Sequence, residues 1–121
     1  MLDPGAPATL LQVGHHGSNT SSSAPFIARV QPRYAVISAG KPGEGTNATY
    51  CHPRASTVQS LTTALGGAGS STIRAFNSAD ACKGAPSSDW IDVPASDRLW
   101  ATERDGDVVL VTTGDGVFAR Q

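Results

Sequence analysis

The chain carries little charge and no surplus of either sign. Nine Lys and Arg face ten Asp and Glu, for a formal net charge of −1. A field that weak excludes histone-like, non-specific nucleic-acid binding. A charged fraction of 16% is also too low for a highly charged disordered tail. Long apolar runs are missing, and none approaches the roughly 20 residues of a transmembrane helix. The opening Met1-Leu2-Asp3-Pro4-Gly5 has neither the basic nor the apolar region of a secretory signal. There is no CxxC pair and no four-ligand Cys/His spacing, which argues against a structural zinc finger. No repeat period appears. What is present, 39% hydrophobic residues and 13 glycines over 121 positions, suits one small domain spanning 1–121.

The two cysteines, Cys51 and Cys82, sit in polar, Gly/Ser/Pro-rich surroundings where a buried free thiol is not expected. They read either as unrelated thiols or as one disulfide tying the loop before a helix to a later loop. The surroundings favour the disulfide, which implies an exported or oxidising compartment. Asn47-Ala48-Thr49 fits a glycosylation sequon, a tripeptide common by chance.

Periodicity and punctuation give the element order. Leu10–Val13 is a short apolar run that reads as a buried strand. Ala24–Val30 reads as a helix capped by Ser23, with Pro25 in its first turn and Phe26, Ile27 and Val30 inward. Tyr34–Ser38 is a β-branched and aromatic strand, and a Gly/Pro/Asn loop follows. Pro53–Leu65 reads as a helix with Val58, Leu61 and Leu65 on one stripe, stopped by Gly66-Gly67. Ile73–Phe76 is a strand, and residues 77–97 read as an insertion loop. Leu99–Thr102 and Val108–Thr112 read as strands joined by an Asp105-Gly106 hairpin; Gly114-Asp115-Gly116 turns into Val117–Ala119. The pattern predicts an α/β or α+β fold: a mixed sheet, two main helices and a C-terminal β-meander.

Val13-Gly14-His15-His16-Gly17-Ser18 is the segment that carries chemistry. Two of the three histidines stand together where a buried strand opens into a loop. On extended backbone the two imidazoles would point to opposite sides, one into a site and one behind it. Neutral imidazole is the commonest metal ligand and needs a second partner to fix its tautomer. The plainer reading is a polar loop with two solvated histidines. The third, His52, stands at the entry to the second helix and reads either as a surface cap or as a group converging on the same sheet edge. Convergence follows if the strands at 10–13 and 34–38 are parallel. The glycines at 66–69 read as a helix stop rather than a phosphate loop, and Asp105-Gly106-Asp107 as a turn rather than a calcium site. Ser18 beside His16 lacks the context of a nucleophile and its base. Trp90 and Trp100 read as packing residues.

Leu11–Ser18, Thr20–Ser23, Phe26, Val30–Lys41 and His52-Pro53 together resemble the C-terminal half of the metallo-β-lactamase-fold hydrolases, in the branch of the ComEC-type competence proteins. Arg98–Gly106 and Val108–Thr112 resemble that branch's closing strands. The resemblance covers residues 9–76 and 98–114. It implies half of an αββα sandwich with a one- or two-metal site, usually zinc, that hydrolyses ester-type bonds. In this branch the bonds implied are phosphodiesters, those of DNA included. On the same resemblance His16 is the metal ligand, His15 and His52 are catalytic or site-lining residues, and Ser18 and Thr20 contact an anionic group.

The chain also departs from that pattern. The upstream His-x-His-x-Asp-His motif and the bridging aspartate are absent. Arg54 replaces the second histidine of His-Pro-His, and Cys51 the preceding glycine. A catalytic zinc needs about three protein ligands. The expectation is therefore a hydrolase portion completed by a missing N-terminal half or by another copy, docked on a bare apolar sheet face. The alternative is a non-catalytic binding or oligomerisation module of the same fold.

Overall fold

The computed structural model describes residues 9–20, 22–69, 71–78, 82 and 89–121. The expectations for the leader at 1–8, for Ser21 and Ser70, and for 79–81 and 83–88 fall outside these residues. The fold is of the α/β class. Its centre is a three-stranded, wholly parallel sheet of β1 (Leu10–Gln12), β2 (Tyr34–Ile37) and β5 (Leu99–Ala101), ordered β1-β2-β5. In register, Gln12 pairs with Val36 and Val36 with Trp100. Antiparallel strands occur in separate sheets, not mixed into this one: β3 (Ser71–Phe76) pairs with β4 (Trp90–Ala95), and β6 (Leu110–Val111) with β7 (Ala119–Arg120).

Helix α1 (Ala24–Val30) forms as its cap predicts. The Ser23 hydroxyl accepts the Phe26 N–H at 3.3 Å, Pro25 occupies the first turn, and Ile27 and Val30 are buried. Helix α3 (Ala55–Leu65) starts after Pro53, because Arg54 is still extended; its stripe of Val58, Leu61 and Leu65 is buried. It packs on α1, β2, β3, β4 and β5, so one core joins Ile27, Ile37, Leu61, Ile73, Val93 and Leu99. Residue period two puts Ala35, Ile37, Leu99 and Ala101 on this core face.

The opposite sheet face was expected to be bare. It is partly covered by the chain's own end. Tyr34 stacks on Trp100 at 5.9 Å and meets the edge of Phe118 at 5.7 Å, and Arg33 donates to the Gly116 carbonyl. Leu10, Val109, Val111 and Val117 stay exposed.

Two expectations past residue 77 are overturned. The stretch 77–97 is not all loop, since β4 runs through it; burial of Trp90, Val93 and Ala95 outweighs the polar composition of the stretch. Asp105-Gly106 makes no hairpin, and β5 and β6 do not form a meander. The Asp105 carboxylate accepts the Ala101 N–H and pairs with Arg104, which also donates to the Leu99 and Thr72 carbonyls. This network winds Thr102–Asp105 into a helical turn, α4, and leaves Gly106 to end it. Burial alone would raise the Asp105 pKa, but its bonds from Arg104 and Ala101 outweigh that and lower it.

The expected disulfide is present: Cys51 and Cys82 are bonded, with their Cα atoms 6.1 Å apart, in a second small core with Phe76 and Trp90. Trp90 and Trp100 pack, as expected. No helix of the described residues is long and apolar enough to cross a membrane.

Two positions generate tests of the fold. Gly17 has φ +84°, and a Cβ there would lie 2.6 Å from the Pro53 Cβ and 3.3 Å from the Ile37 side chain. Gly17→Ala is expected to lower unfolding stability by about 2 to 4 kcal/mol in urea; an unchanged midpoint would mean the two turns separate freely. Glu103 in α4 has both carboxyl oxygens shut off from solvent without a hydrogen-bond partner. Burial raises its pKa from 4.5 to about 8, against an opposing pull from Arg104. Between those values the folded chain holds a proton that the unfolded chain has lost, so stability falls as pH rises through that window. Glu103→Gln should match the wild type at about pH 4 and be the more stable protein at about pH 9 in urea titrations. Equal stabilities at the higher pH would refute the assignment.

Candidate functional site

The three strands of the parallel sheet end on one edge. β1 opens into the turn Gly14–Gly17, β2 into Ser38-Ala39-Gly40, and β5 into Thr102, whose hydroxyl bridges the Ala39 N–H and carbonyl at 2.9 Å each. Parallel pairing of β1 and β2 thus brings the paired histidines toward the loop of His52, as the sheet-edge argument expects.

The backbone of the pair differs from expectation. His15 and His16 are not extended; both are left-handed, with φ 46° and 55°. Residues with a Cβ enter this region at a cost, and such strain gathers at functional sites. The turn carries both imidazoles to the same side, so His15 and His16 line one cleft rather than opposite faces. Gly17 then closes the turn against Pro53, and its carbonyl accepts the Arg54 N–H at 3.0 Å.

Residues 40–51, expected as loop, include one helical turn, α2 (Asn47–Tyr50). Asn47 is the residue that the sequence reading missed. It is buried, so as the native fold stands its sequon amide is not offered to solvent. Its Nδ2 donates to the Gly40 and His52 carbonyls at 2.9 and 2.7 Å, and its Oδ1 accepts the His52 N–H at 2.6 Å. One side chain therefore fixes His52 relative to the end of β2. The signal was an amide five residues before a His-Pro pair.

Cys51 adds a covalent tie next to His52. Its φ of 52° is one that glycine adopts freely. Arg54 is buried, donates to the Tyr50 and Ser78 carbonyls, and lies 5.1 Å over the Phe76 ring.

The cleft holds about 410 Å³ and is lined by His15, His16, Ala39, Gly40, Thr46, Asn47, Tyr50 and His52. None of these is acidic. His16 Nδ1 lies 2.6 Å from the Ser38 carbonyl. A carbonyl only accepts, so Nδ1 is the donor; in the neutral ring this leaves Nε2 as the atom able to bind a metal or a proton. The His16 and His52 rings are stacked, with centroids 6.3 Å apart. Burial lowers the His52 pKa, and the Arg54 guanidinium and the other two imidazoles push the same way. His52 is thereby held toward its neutral form.

The other expected residues lie outside the cleft lining. Ser18 is buried, shares a 3.0 Å hydrogen bond with the Thr20 hydroxyl, and offers its carbonyl to Thr57. Thr20 is exposed. A larger groove of about 660 Å³ between α1 and α3 has no ionisable lining residue.

His16, with Nδ1 against a carbonyl, and His52 beside it are the stacked imidazoles of the cleft. The described residues contain no group of three His, Cys, Asp or Glu able to hold a metal. The donors of the described residues stop short of the three protein ligands usual for zinc.

Part of the chain is similar to known proteins. Over 58 residues, 48% of the chain, it is 45% identical to ComE operon protein 3 of Bacillus subtilis (strain 168). Over 62 residues, 49% of the chain, it is 45% identical to Competence protein ComA of Neisseria gonorrhoeae. Over 34 residues, 28% of the chain, it is 65% identical to the uncharacterized protein YcaI of Escherichia coli (strain K12). These matches cover 7%, 9% and 4% of the respective relatives, so the chain spans less than a tenth of each. No family model matches the chain, and no solved structure does. What is shared is a segment: about half of this chain is similar to a small part of ComE operon protein 3 and of Competence protein ComA.

Proposed function

We propose that this chain is the C-terminal portion of a metal-dependent hydrolase of the metallo-β-lactamase fold, acting on phosphodiesters such as those of DNA. The observation that carries the reading is the stacked His16–His52 pair on an acid-free cleft, with His16 Nδ1 tied to a backbone carbonyl. One relative is named a competence protein, which suits a DNA substrate.

In this reading His16 would hold zinc, and the remaining ligands would come from an N-terminal half or another copy. Zinc would supply a Lewis acid and an activated water. His52, biased to its neutral form, accepts a proton or orients the bound ester, and His15 contacts the same group from the other end of the strained turn. Thr20, exposed and hydrogen-bonded to the buried Ser18 hydroxyl, contacts an anionic portion of the substrate. The completing partner covers Leu10, Val109, Val111 and Val117, which are exposed in this chain. The disulfide fits an exported or oxidising compartment.

A second reading has its own observation. The lack of a three-donor group among the described residues suits a non-catalytic module that keeps the fold for binding or assembly. Metal analysis of the purified assembly separates the two. The hydrolase reading expects stoichiometric zinc, with affinity lowered at least about tenfold in His16→Asn. Asparagine is chosen because it tolerates the left-handed backbone of residue 16. Metal-free protein of unaltered oligomeric state would instead establish the binding module.

A further inference from the structure

Tyr50 is the exposed aromatic of this chain, 61% open, whereas every other Phe, Tyr and Trp of the described residues is buried or half-buried. Burial is the ordinary fate of a ring that contributes to a core, and Tyr50 forgoes it. It is not on a loose loop either. Its N–H donates to the Thr46 carbonyl, its own carbonyl accepts the Arg54 guanidinium at 3.2 Å, and the next residue is disulfide-bonded. The ring is thus presented to solvent from an anchored backbone.

Its position is ordered relative to the histidines. The Tyr50 ring is stacked on His52 with centroids 6.3 Å apart and planes 25° from parallel, and His52 is stacked in the same way on His16. His52 is thus stacked with both His16 and Tyr50, and all three residues line the cleft. The histidine end, with imidazoles and no carboxylate, suits an anionic group. The Tyr50 end offers a flat apolar face. A ligand matching both ends has a planar ring joined a short distance from a phosphodiester, which is a nucleotide unit.

We propose that Tyr50 is a specificity residue that stacks the base next to the phosphodiester held at His16 and His52. Stacking needs an uncovered base face, so the strand bound here is single-stranded or a frayed end, because a paired base is covered by its neighbours. The contact is indifferent to base identity, since every base has such a face. This inference rests on the phosphodiester reading above and adds the form of the nucleic acid.

The test is fluorescence anisotropy with the full chain, without added metal, using labelled oligothymidylate and an abasic deoxyribose-phosphate oligomer of equal length. The wild type is expected to bind the thymidylate at least about fivefold more tightly than the abasic oligomer, in the range of one base–aromatic stack. Tyr50→Ala should abolish that difference and leave the abasic affinity unchanged, while Tyr50→Trp preserves it. Circular dichroism of each variant checks the fold. Equal binding of both oligomers by the wild type overturns the stacking role and leaves the phosphodiester reading standing. Binding of neither overturns the stacking role, because the cleft formed by this chain then holds no oligonucleotide. A Tyr50→Ala variant that weakens both oligomers equally, or changes oligomeric state instead, assigns Tyr50 to the scaffold or to a protein contact and overturns the proposal.

Discussion

Gly17 against Pro53 is the contact on which the site depends. A turn at the end of β1 and a turn at the start of α3 approach so closely that a methyl group on residue 17 has no room. The Gly17 carbonyl then accepts the Arg54 N–H, and the Pro53 carbonyl accepts the Phe76 N–H, so the two turns are also tied to β3. His16 precedes one side of this junction and His52 the other. Their stacked rings follow from backbone packing beneath them. Neither histidine needs the other in order to be held in place.

A second layer of constraint surrounds the junction. Asn47 links His52 to the end of β2, and the Cys51 disulfide and the Arg54 bonds hold the far side. Each left-handed residue, His15, His16 and Cys51, carries a backbone cost of about 1 to 2 kcal/mol. The bond network around the turns offsets it. The cleft is therefore formed in advance by the chain, while the donor set for a metal is not complete within the described residues.

The sequence made the central architecture legible where local and tertiary signals agreed. Ser23 with Pro25 marked α1, and Val58, Leu61 and Leu65 marked the face of α3, because capping and a 3.6-residue stripe act locally. The parallel β1–β2 edge, and with it the meeting of His15/His16 and His52, followed from the crossover helix. Other features were hidden because distant groups decide them. Asp105-Gly106 has hairpin chemistry, yet Arg104 and the Ala101 N–H recruit Asp105 into a helical turn. Trp90–Ala95 ends a long polar stretch and contains Pro94, yet a partner strand and α3 bury Trp90, Val93 and Ala95. Asn47 resembled a surface sequon because nothing local reveals that three backbone groups across the loop will claim its amide. The left-handed turn at the histidines was invisible for the same reason, since the space beneath it is made by Pro53.

The burial of Asn47 bears on how the protein is best made. In a eukaryotic secretory pathway, the nascent Asn47-Ala48-Thr49 would be a substrate for oligosaccharide transfer before the loop closes. A glycan on that nitrogen would take away a donor and place a bulky sugar in a space that leaves the residue 6% exposed. The same pathway that promotes the Cys51–Cys82 bond would then obstruct the folding of the segment the bond secures. A bacterial periplasm, oxidising and free of this sequon chemistry, avoids the conflict.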